Sequence, residues 1–212
     1  MPTFNHIKQD LRDYCKDRGV CADGYADLLR AENAADLWAV MREHINGMQS
    51  DLLCDYVAEH VQQWYAAYGD EARQKRICVN ENVRGAMVIV ASQPDFHATE
   101  DADYYVFGAT TITARGGARV HCRMREARVT LMDYSRGDLE NCEVVAAGRS
   151  TAVCRNCKRA ECRKAASVRL MSGTLTDNGH RSITAYNGST VYSITTKKIT
   201  LVAGATIKIP EA

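Results

Sequence analysis

Three cysteines form the part of the sequence best suited to bind a metal. Cys154 and Cys157 are separated by two residues, and Cys162 follows five residues later. Thiolates at the first spacing chelate zinc when they lie in a turn. Cys154 and Cys162, however, also share the eight-residue spacing of the repeat described below, and no second Cys-x-x-Cys pair occurs. We therefore interpret the cysteines as buried structural thiols and predict no metal and no cofactor. A bound metal or a redox pair is the alternative.

Arginines form a second candidate site, for a polyanion. Residues 115–169 contain 13 Lys/Arg against 6 Asp/Glu. Such a stripe could follow phosphates or acidic sugars, or contact an acidic protein surface. Tyr134 is the single aromatic residue in this range, so stacking on nucleic-acid bases has little support. The candidate polyanion-binding residues are Arg119, Arg123, Arg125, Arg155, Arg159 and Arg163.

A cluster of carboxylates suggests a third chemistry. Glycan-cleaving enzymes use a pair of carboxyl groups as acid and base. The cluster consists of Asp133, Asp138, Glu140 and Glu143. Arg128, Arg136 and Arg149 lie close by in the sequence and favour ion pairs on an exposed face instead. The chain contains no glycine-rich phosphate loop, nucleophile elbow or HExxH motif. We predict a protein that is not an enzyme.

Composition indicates a folded protein in a reducing compartment. The chain has 212 residues, of which 46% are hydrophobic, and nine cysteines. An odd number of scattered cysteines fits free thiols better than a disulfide framework. The sequence shows neither a signal peptide nor an apolar run long enough to span a membrane. We therefore expect a cytoplasmic protein.

Residues 1–75 are predicted to be helical, because apolar residues recur every three or four positions. This segment is acidic, with 8 Lys/Arg against 13 Asp/Glu, whereas residues 76–212 have 19 against 13. Because no Cys–His or carboxylate–His pair stands at ligand spacing, we expect no site here and interpret His60 as structural. The predicted boundaries are a helix around Ile7 and Leu11 ending at Gly19, a short helix from Tyr25 to Ala31, a third capped by Asn33 and ending at Gly47, and a fourth capped by Ser50 and ending at Gly69.

Residues 76–212 are predicted to form a β-solenoid, because side chains of one type return every eight residues. Ile183, Val191, Ile199 and Ile207 have this spacing, and a small or apolar residue follows two positions after each. The pattern extends back to Ile112 and slips by one residue near Val144. Positions one and three of each octad are predicted to point inward, since side chains alternate along a strand. Cys157 has the opposite parity and is expected to point away from Cys154 and Cys162.

The predicted fold class is α+β, with an N-terminal α-helical segment (1–75) followed by a single-stranded parallel β-helix (76–212). Two or three octads per coil are equally compatible with the pattern. An antiparallel meander is the alternative; it is disfavoured because a two-residue hairpin signal occurs only at Asn187-Gly188. The acidic helices are expected to cover one end of the stack, since open strand edges need protection.

The octads ITAYNGST (183–190) and VVAAGRST (144–151) resemble the V-x-A-Y-x-N-S-x arrays of uncharacterised bacterial proteins, some of them encoded on phage or mobile elements. The opening DLRDYCKDRGVCADGYADLL is similar to the helical leader that precedes such arrays. The resemblance implies the same solenoid but carries no known activity or catalytic residue. Arg and Cys substitutions between 119 and 169 depart from the most regular arrays.

These observations favour a structural or interaction scaffold whose partner is a protein or a polysaccharide. A polyanion-binding β-helix is the alternative, and a glycan-active β-helix enzyme is less favoured. The pattern leaves the oligomeric state and the ligand open.

Overall fold

The fold is described by a computed structural model that covers residues 1–16, 18, 20–49 and 53–209, with only the backbone of Lys158. Four helices precede a parallel β-solenoid of about eight turns, so the predicted α+β fold class is confirmed. Among the described residues, no helix is both long and apolar enough to cross a membrane. The helices are α1 (Phe4–Lys16), α2 (Ala22–Arg30), α3 (Ala34–Met48) and α4 (Cys54–Gln74).

The helix boundaries agree with the sequence pattern at some positions and differ at two glycines. Asn33 is the N-cap of α3, and its Oδ1 accepts the Asp36 N–H at 3.0 Å, as predicted. Both predicted glycine stops are wrong, since α3 passes through Gly47 and α4 passes through Gly69. Glycine weakens a helix interior by only about 1 kcal/mol, which packing overrides. The backbone of α4 kinks at Tyr68 instead. Gly19 and Ser50 lie outside the described residues.

In the described part of the chain fifteen strands follow, of which β11 and β12 are the longest, and all of their pairings are parallel. They are β1 (Ile77–Val79), β2 (Met87–Ala91), β3 (Phe96–Ala98), β4 (Asp103–Phe107), β5 (Thr111–Ala114), β6 (Arg119–Cys122), β7 (Arg128–Leu131), β8 (Arg136–Glu140), β9 (Glu143–Ala146), β10 (Thr151–Arg155), β11 (Cys157–Leu170), β12 (Gly173–Ala185), β13 (Thr190–Tyr192), β14 (Ile199–Leu201) and β15 (Thr206–Lys208).

Each coil contains two octads, which answers the question that the sequence left open. Ile183 pairs with Ile199, and Val191 pairs with Ile207. Successive octads therefore lie on opposite faces, and each octad stacks on the octad that lies two places earlier in the chain. The first face contains β1, β2, β4, β6, β8, β10, β14 and the later parts of β11 and β12. The second face contains β3, β5, β7, β9, β13, β15 and the earlier parts of β11 and β12.

The inward positions are those predicted, because positions one and three of the octads line a continuous buried core. Val129 stacks between Ile112 and Val144, and all three are buried. The coil that leads from Ile112 to Val129 is longer than the coil that leads from Val129 to Val144, which confirms the slip near Val144.

The helices pack against the outer side of the first coils. In β2, Val88 and Val90 face the solenoid interior, whereas Met87 and Ile89 belong to the core shared with the helices. The strands β1, β2 and β4 are thus apolar on both sides, and their sequences do not alternate. The octad pattern was recognisable only from Ile112 for this reason, although the strands begin at Ile77.

A short segment between β1 and β2 protects the end of the second face. The Asn82 side chain donates to the His97 carbonyl at 2.8 Å and accepts from the Thr99 N–H at 3.2 Å. These two groups belong to β3 and the residue after it, at the first edge of that face. The Tyr104 hydroxyl also donates to Asn82 Oδ1, at 2.8 Å. The helices lie on the outer side of the first coils, with α4 against the terminal strand β1, and the predicted cap over the end of the stack stays a prediction.

We predict that a chain beginning at residue 76 forms larger assemblies than the intact chain does. Removing the helices exposes Ile77, Ile89 and Phe107, which are fully buried in the intact protein, and large apolar patches drive association. Light scattering coupled to size-exclusion chromatography measures the mass of the species for both chains. The same number of chains per assembly in the two proteins would show that the helices are dispensable for covering this side.

Candidate functional site

The six candidate arginines do not form one continuous stripe. Arg119 lies on β6 of the first face, and Arg155 ends β10 of the same face. Arg159 and Arg163 lie in the part of β11 that belongs to the second face, or just after it. Arg123 and Arg125 stand in the connection between β6 and β7. A single extended polyanion would therefore not contact all six on one face.

Carboxylates of the protein itself pair with four of the six. Arg119 donates to both oxygens of Asp103, at 2.7 and 3.0 Å, and to Asp101 at 2.9 Å. The hydrogen bond from Arg119 lowers the pKa of Asp103.

The other pairs are similar. Arg123 approaches Glu140 at 3.9 Å, Arg163 donates to both Glu161 oxygens at 2.7 Å, and Arg155 pairs with Asp138. In the part of the chain that the structure describes, Arg125 and Arg159 have no carboxylate within 4.0 Å.

The acidic cluster is divided between the two faces. Asp138 and Glu140 lie on β8, whereas Glu143 lies on β9 of the second face and pairs with Arg128 at 3.0 Å. Asp133 occupies a corner with φ of 57°. Three of the four carboxylates therefore pair with arginines, and of the four only Asp138 and Glu140 share one side of a strand.

The candidate metal ligands are buried, and Cys157 points inward against expectation. Asn156 adopts a left-handed conformation (φ 47°), so the corner reverses the alternation and directs Cys157 into the core, where it is 3% exposed. The Cys142 and Cys154 thiols are hydrogen-bond partners of Cys157 and lower its pKa. Cys162 instead donates to the Ala166 and Gly179 carbonyls, at 3.6 and 3.7 Å.

The thiols nevertheless do not form a three-ligand metal site. Among the described residues, only Asp27, Glu43 and His44 bring three ligand atoms within 4.8 Å of one another. These residues belong to α2 and α3, and sequence spacing gave no signal for them because Asp27 and His44 lie on different helices. The expectation of no site in the helical segment rested on sequence spacing, whereas the structure brings His44 Nε2 to 2.9 Å from Asp27 Oδ2. His60 binds the Tyr56 carbonyl at 2.9 Å, as a structural histidine does.

A buried polar network interrupts the apolar interior near the end of the stack. Asp177 occupies an inward position, accepts from the Ser193 hydroxyl at 2.5 Å and from the Gly179 N–H at 3.0 Å, and lies 2.7 Å from His180 Nδ1. His180 Nε2 lies 2.7 Å from the Lys197 carbonyl. Both ring nitrogens of His180 therefore face hydrogen-bond acceptors, one a carboxylate and the other a backbone carbonyl. Ser193 is fully buried, so its hydroxyl does not meet solvent and the network is structural.

The last coil of the described chain is only partly covered. Each of its strands has one neighbour, because β14 pairs with β12 and β15 pairs with β13. Ile199 and Ile207 are half-buried, whereas the equivalent residues one coil earlier, Ile183 and Val191, are buried. Leu201 and Ile209, at the third positions, are 41% and 72% exposed. This end of the solenoid presents large aliphatic side chains together with free strand edges.

Comparison with known proteins finds no family model, no curated protein and no solved structure that matches this chain.

We predict that the buried Asp177–His180 pair stabilises the solenoid more than a surface pair does. The Asp177 and His180 side chains are 2% and 4% exposed, and Asp177→Ala leaves the buried imidazole, the Ser193 hydroxyl and the Gly179 N–H without their shared acceptor. The free energy of unfolding in urea should fall by about 3 kcal/mol. The matched control is Asp138→Ala, which breaks the half-exposed pair with Arg155 and should cost less than about 1 kcal/mol. Equal losses for the two variants would contradict the larger contribution of the buried pair.

Proposed function

We propose that the protein is a non-enzymatic structural scaffold that assembles through the last coil of its solenoid. The observation that carries this proposal is the exposed aliphatic end formed by Ile199, Leu201, Ile207 and Ile209. The occupant that we propose for this end is the same end of a second copy. Cytoplasmic location remains a prediction from the sequence.

The side chains at this end are suited to pack against another apolar surface. At the third octad position, earlier coils carry leucines that are fully buried, namely Leu131, Leu139 and Leu170. Leu201 and Ile209 at the same position of the last coil are exposed instead, because no further coil of the described chain covers them. Burying them would remove apolar area from water and would pair the free edges of β14 and β15.

The other end of the stack does not offer an equivalent surface. There, Asn82 binds the edge of β3, and α4 packs on β1 and β2. With one exposed end in the part of the chain that the structure describes, association between identical ends closes into a two-fold dimer and does not grow into a fibre. The product would be a rod of double length with the helices near its outer ends.

The lysines around the end predict how salt affects the dimer. Lys197, Lys198 and Lys208 are exposed at the last coil. In a dimer of identical ends, these cations approach one another, and dissolved salt weakens their repulsion. Association should therefore tighten as the salt concentration rises, which is opposite to the behaviour of docking on an acidic partner.

Polyanion binding is a second proposal, supported by the unpaired Arg125 and Arg159. Arg159 lines a shallow groove on the second face together with Arg128 and Arg163. Four of the six candidate arginines are already paired with carboxylates, which reduces the attraction for an added anion. Salt-dependent retention on heparin tests this proposal, and failure to bind heparin at low salt would exclude it.

We expect the wild-type chain to sediment as a dimer at micromolar concentration. Leu201→Asp should raise the dissociation constant of the dimer at least tenfold, because the substitution places a charge in the apolar contact. Sedimentation equilibrium at several salt concentrations measures both effects. Leu29→Asp is the matched control, since Leu29 is a leucine of similar exposure (45%) on the helical segment and should leave the dimer unchanged.

A wild-type monomer at all concentrations would overturn the proposed assembly. Equal weakening by Leu201→Asp and Leu29→Asp would assign any dimer to a different surface. A dimer that weakens with salt would indicate an ionic contact and would contradict contact between identical ends.

A further inference from the structure

The helical segment encloses an apolar cavity that the scaffold role does not use. Its volume is about 370 Å³, which is within the range of small-molecule sites. All four helices contribute to its wall, which is largely aliphatic. The lining includes Leu11, Leu28, Leu37, Val40, Met48 and Val57.

One wall of this cavity carries a reactive type of side chain, the thiol of Cys21. Of the nine cysteines, Cys21 alone is exposed, and the other eight are buried. Cys21 is also the N-cap of α2, where its Sγ accepts the Gly24 N–H at 3.3 Å. A thiolate is favoured at a helix N-terminus by the backbone N–H groups and the helix dipole. Because Cys21 is exposed and also lines the cavity, its thiol lies at the cavity mouth.

A histidine oriented by a carboxylate lies beside the thiol. His44 lines the same cavity, and its Nε2 lies 2.9 Å from Asp27 Oδ2. The hydrogen bond from His44 lowers the pKa of Asp27, so the carboxylate accepts the Nε2 proton. In the tautomer whose Nε2 proton goes to Asp27, Nδ1 is the ring nitrogen that can accept a proton.

Gly24 allows the thiol and the imidazole to share one space. A Cβ atom at Gly24 would lie 3.0 Å from Cys21 Sγ and 3.4 Å from His44 Nδ1. Both reactive atoms therefore border the same point, and a larger residue there would displace one of them. A thiol, a base and a group that orients the base are the components of an activated nucleophile.

We propose that Cys21 accepts an acyl group from an acyl thioester and holds it as a new thioester, with the acyl chain lying in the helical cavity. His44 Nδ1 takes the Cys21 proton, and the Cys21 sulfur forms a bond to the carbonyl carbon. The carbon–sulfur bond of the donor breaks, and the departing thiolate takes the proton from His44. No group is oxidised or reduced. The reaction is stoichiometric, and it is therefore compatible with a structural protein.

The test uses the full chain and a neutral donor, the octanoyl thioester of N-acetylcysteamine, followed by intact-mass spectrometry and peptide mapping. We expect one octanoyl group per chain, located on Cys21 and transferred at least tenfold faster than to free N-acetylcysteine. Cys21→Ser should abolish the adduct. His44→Gln should slow its formation at least tenfold, since general-base assistance contributes about 10² or more. Asp27 is a positioning residue, and Asp27→Asn should lower the maximal rate without changing the donor concentration that gives half-saturation.

Two further variants separate the chemistry from a folding defect. Cys162→Ser removes a buried thiol of the solenoid, outside the cavity, and should leave the rate unchanged, because burial raises the pKa of Cys162 and keeps it protonated. Val40→Phe fills the cavity and should slow octanoyl transfer at least tenfold, whereas acetyl transfer should change less than twofold.

Reaction of Cys21 at the rate of the free thiol would overturn the proposal. An adduct on another cysteine, or identical rates for octanoyl and acetyl donors in both the wild type and Val40→Phe, would do the same.

Discussion

The solenoid depends on the narrow space between its two faces, which inward side chains from both faces must fill. Each side chain also stacks on the equivalent residue of the next coil, so a change at one position is transmitted along the rod. Gly137 shows how tight the space is: a Cβ there would lie 2.8 Å from the Leu131 side chain and 2.9 Å from that of Leu139. Leu139 at position three therefore fits into the interior because Gly137 at position one has no side chain. The octad pattern in the sequence results from this packing constraint.

The regular part of the fold could be predicted because this constraint acts on residues close together in sequence. The eight-residue spacing of Ile183 and Val191 indicates both the strand and the corner that follows it. The number of octads per coil could not be predicted, since a coil of three octads would place the same residue types inside. Contacts between equivalent residues of successive coils, such as Ile183 with Ile199, settle this only in three dimensions.

The sequence did not predict features that depend on contacts between distant parts of the chain or on the conformation of a corner. The strands β2 and β4 lose their alternation because helices cover their outer side. The prediction that Cys157 points outward was wrong because Asn156 takes a left-handed conformation at the corner. The Asn156 side chain also donates to Asn141 Oδ1 there, at 2.7 Å. The approach of His44 to Asp27 depends on the packing of α2 against α3, which no local spacing reveals. Candidate functional residues were for this reason harder to predict than the fold.

Nuclear Overhauser effects between backbone protons of the deuterated 23.5-kDa protein measure the stacking most directly. We expect Val129 to show cross-strand effects to both Ile112 and Val144, in the pattern of parallel neighbours. Val120 should show them to Gly137. Effects that instead join Val120 to Val129 in an antiparallel pattern would show consecutive octads paired as a hairpin and would contradict the solenoid.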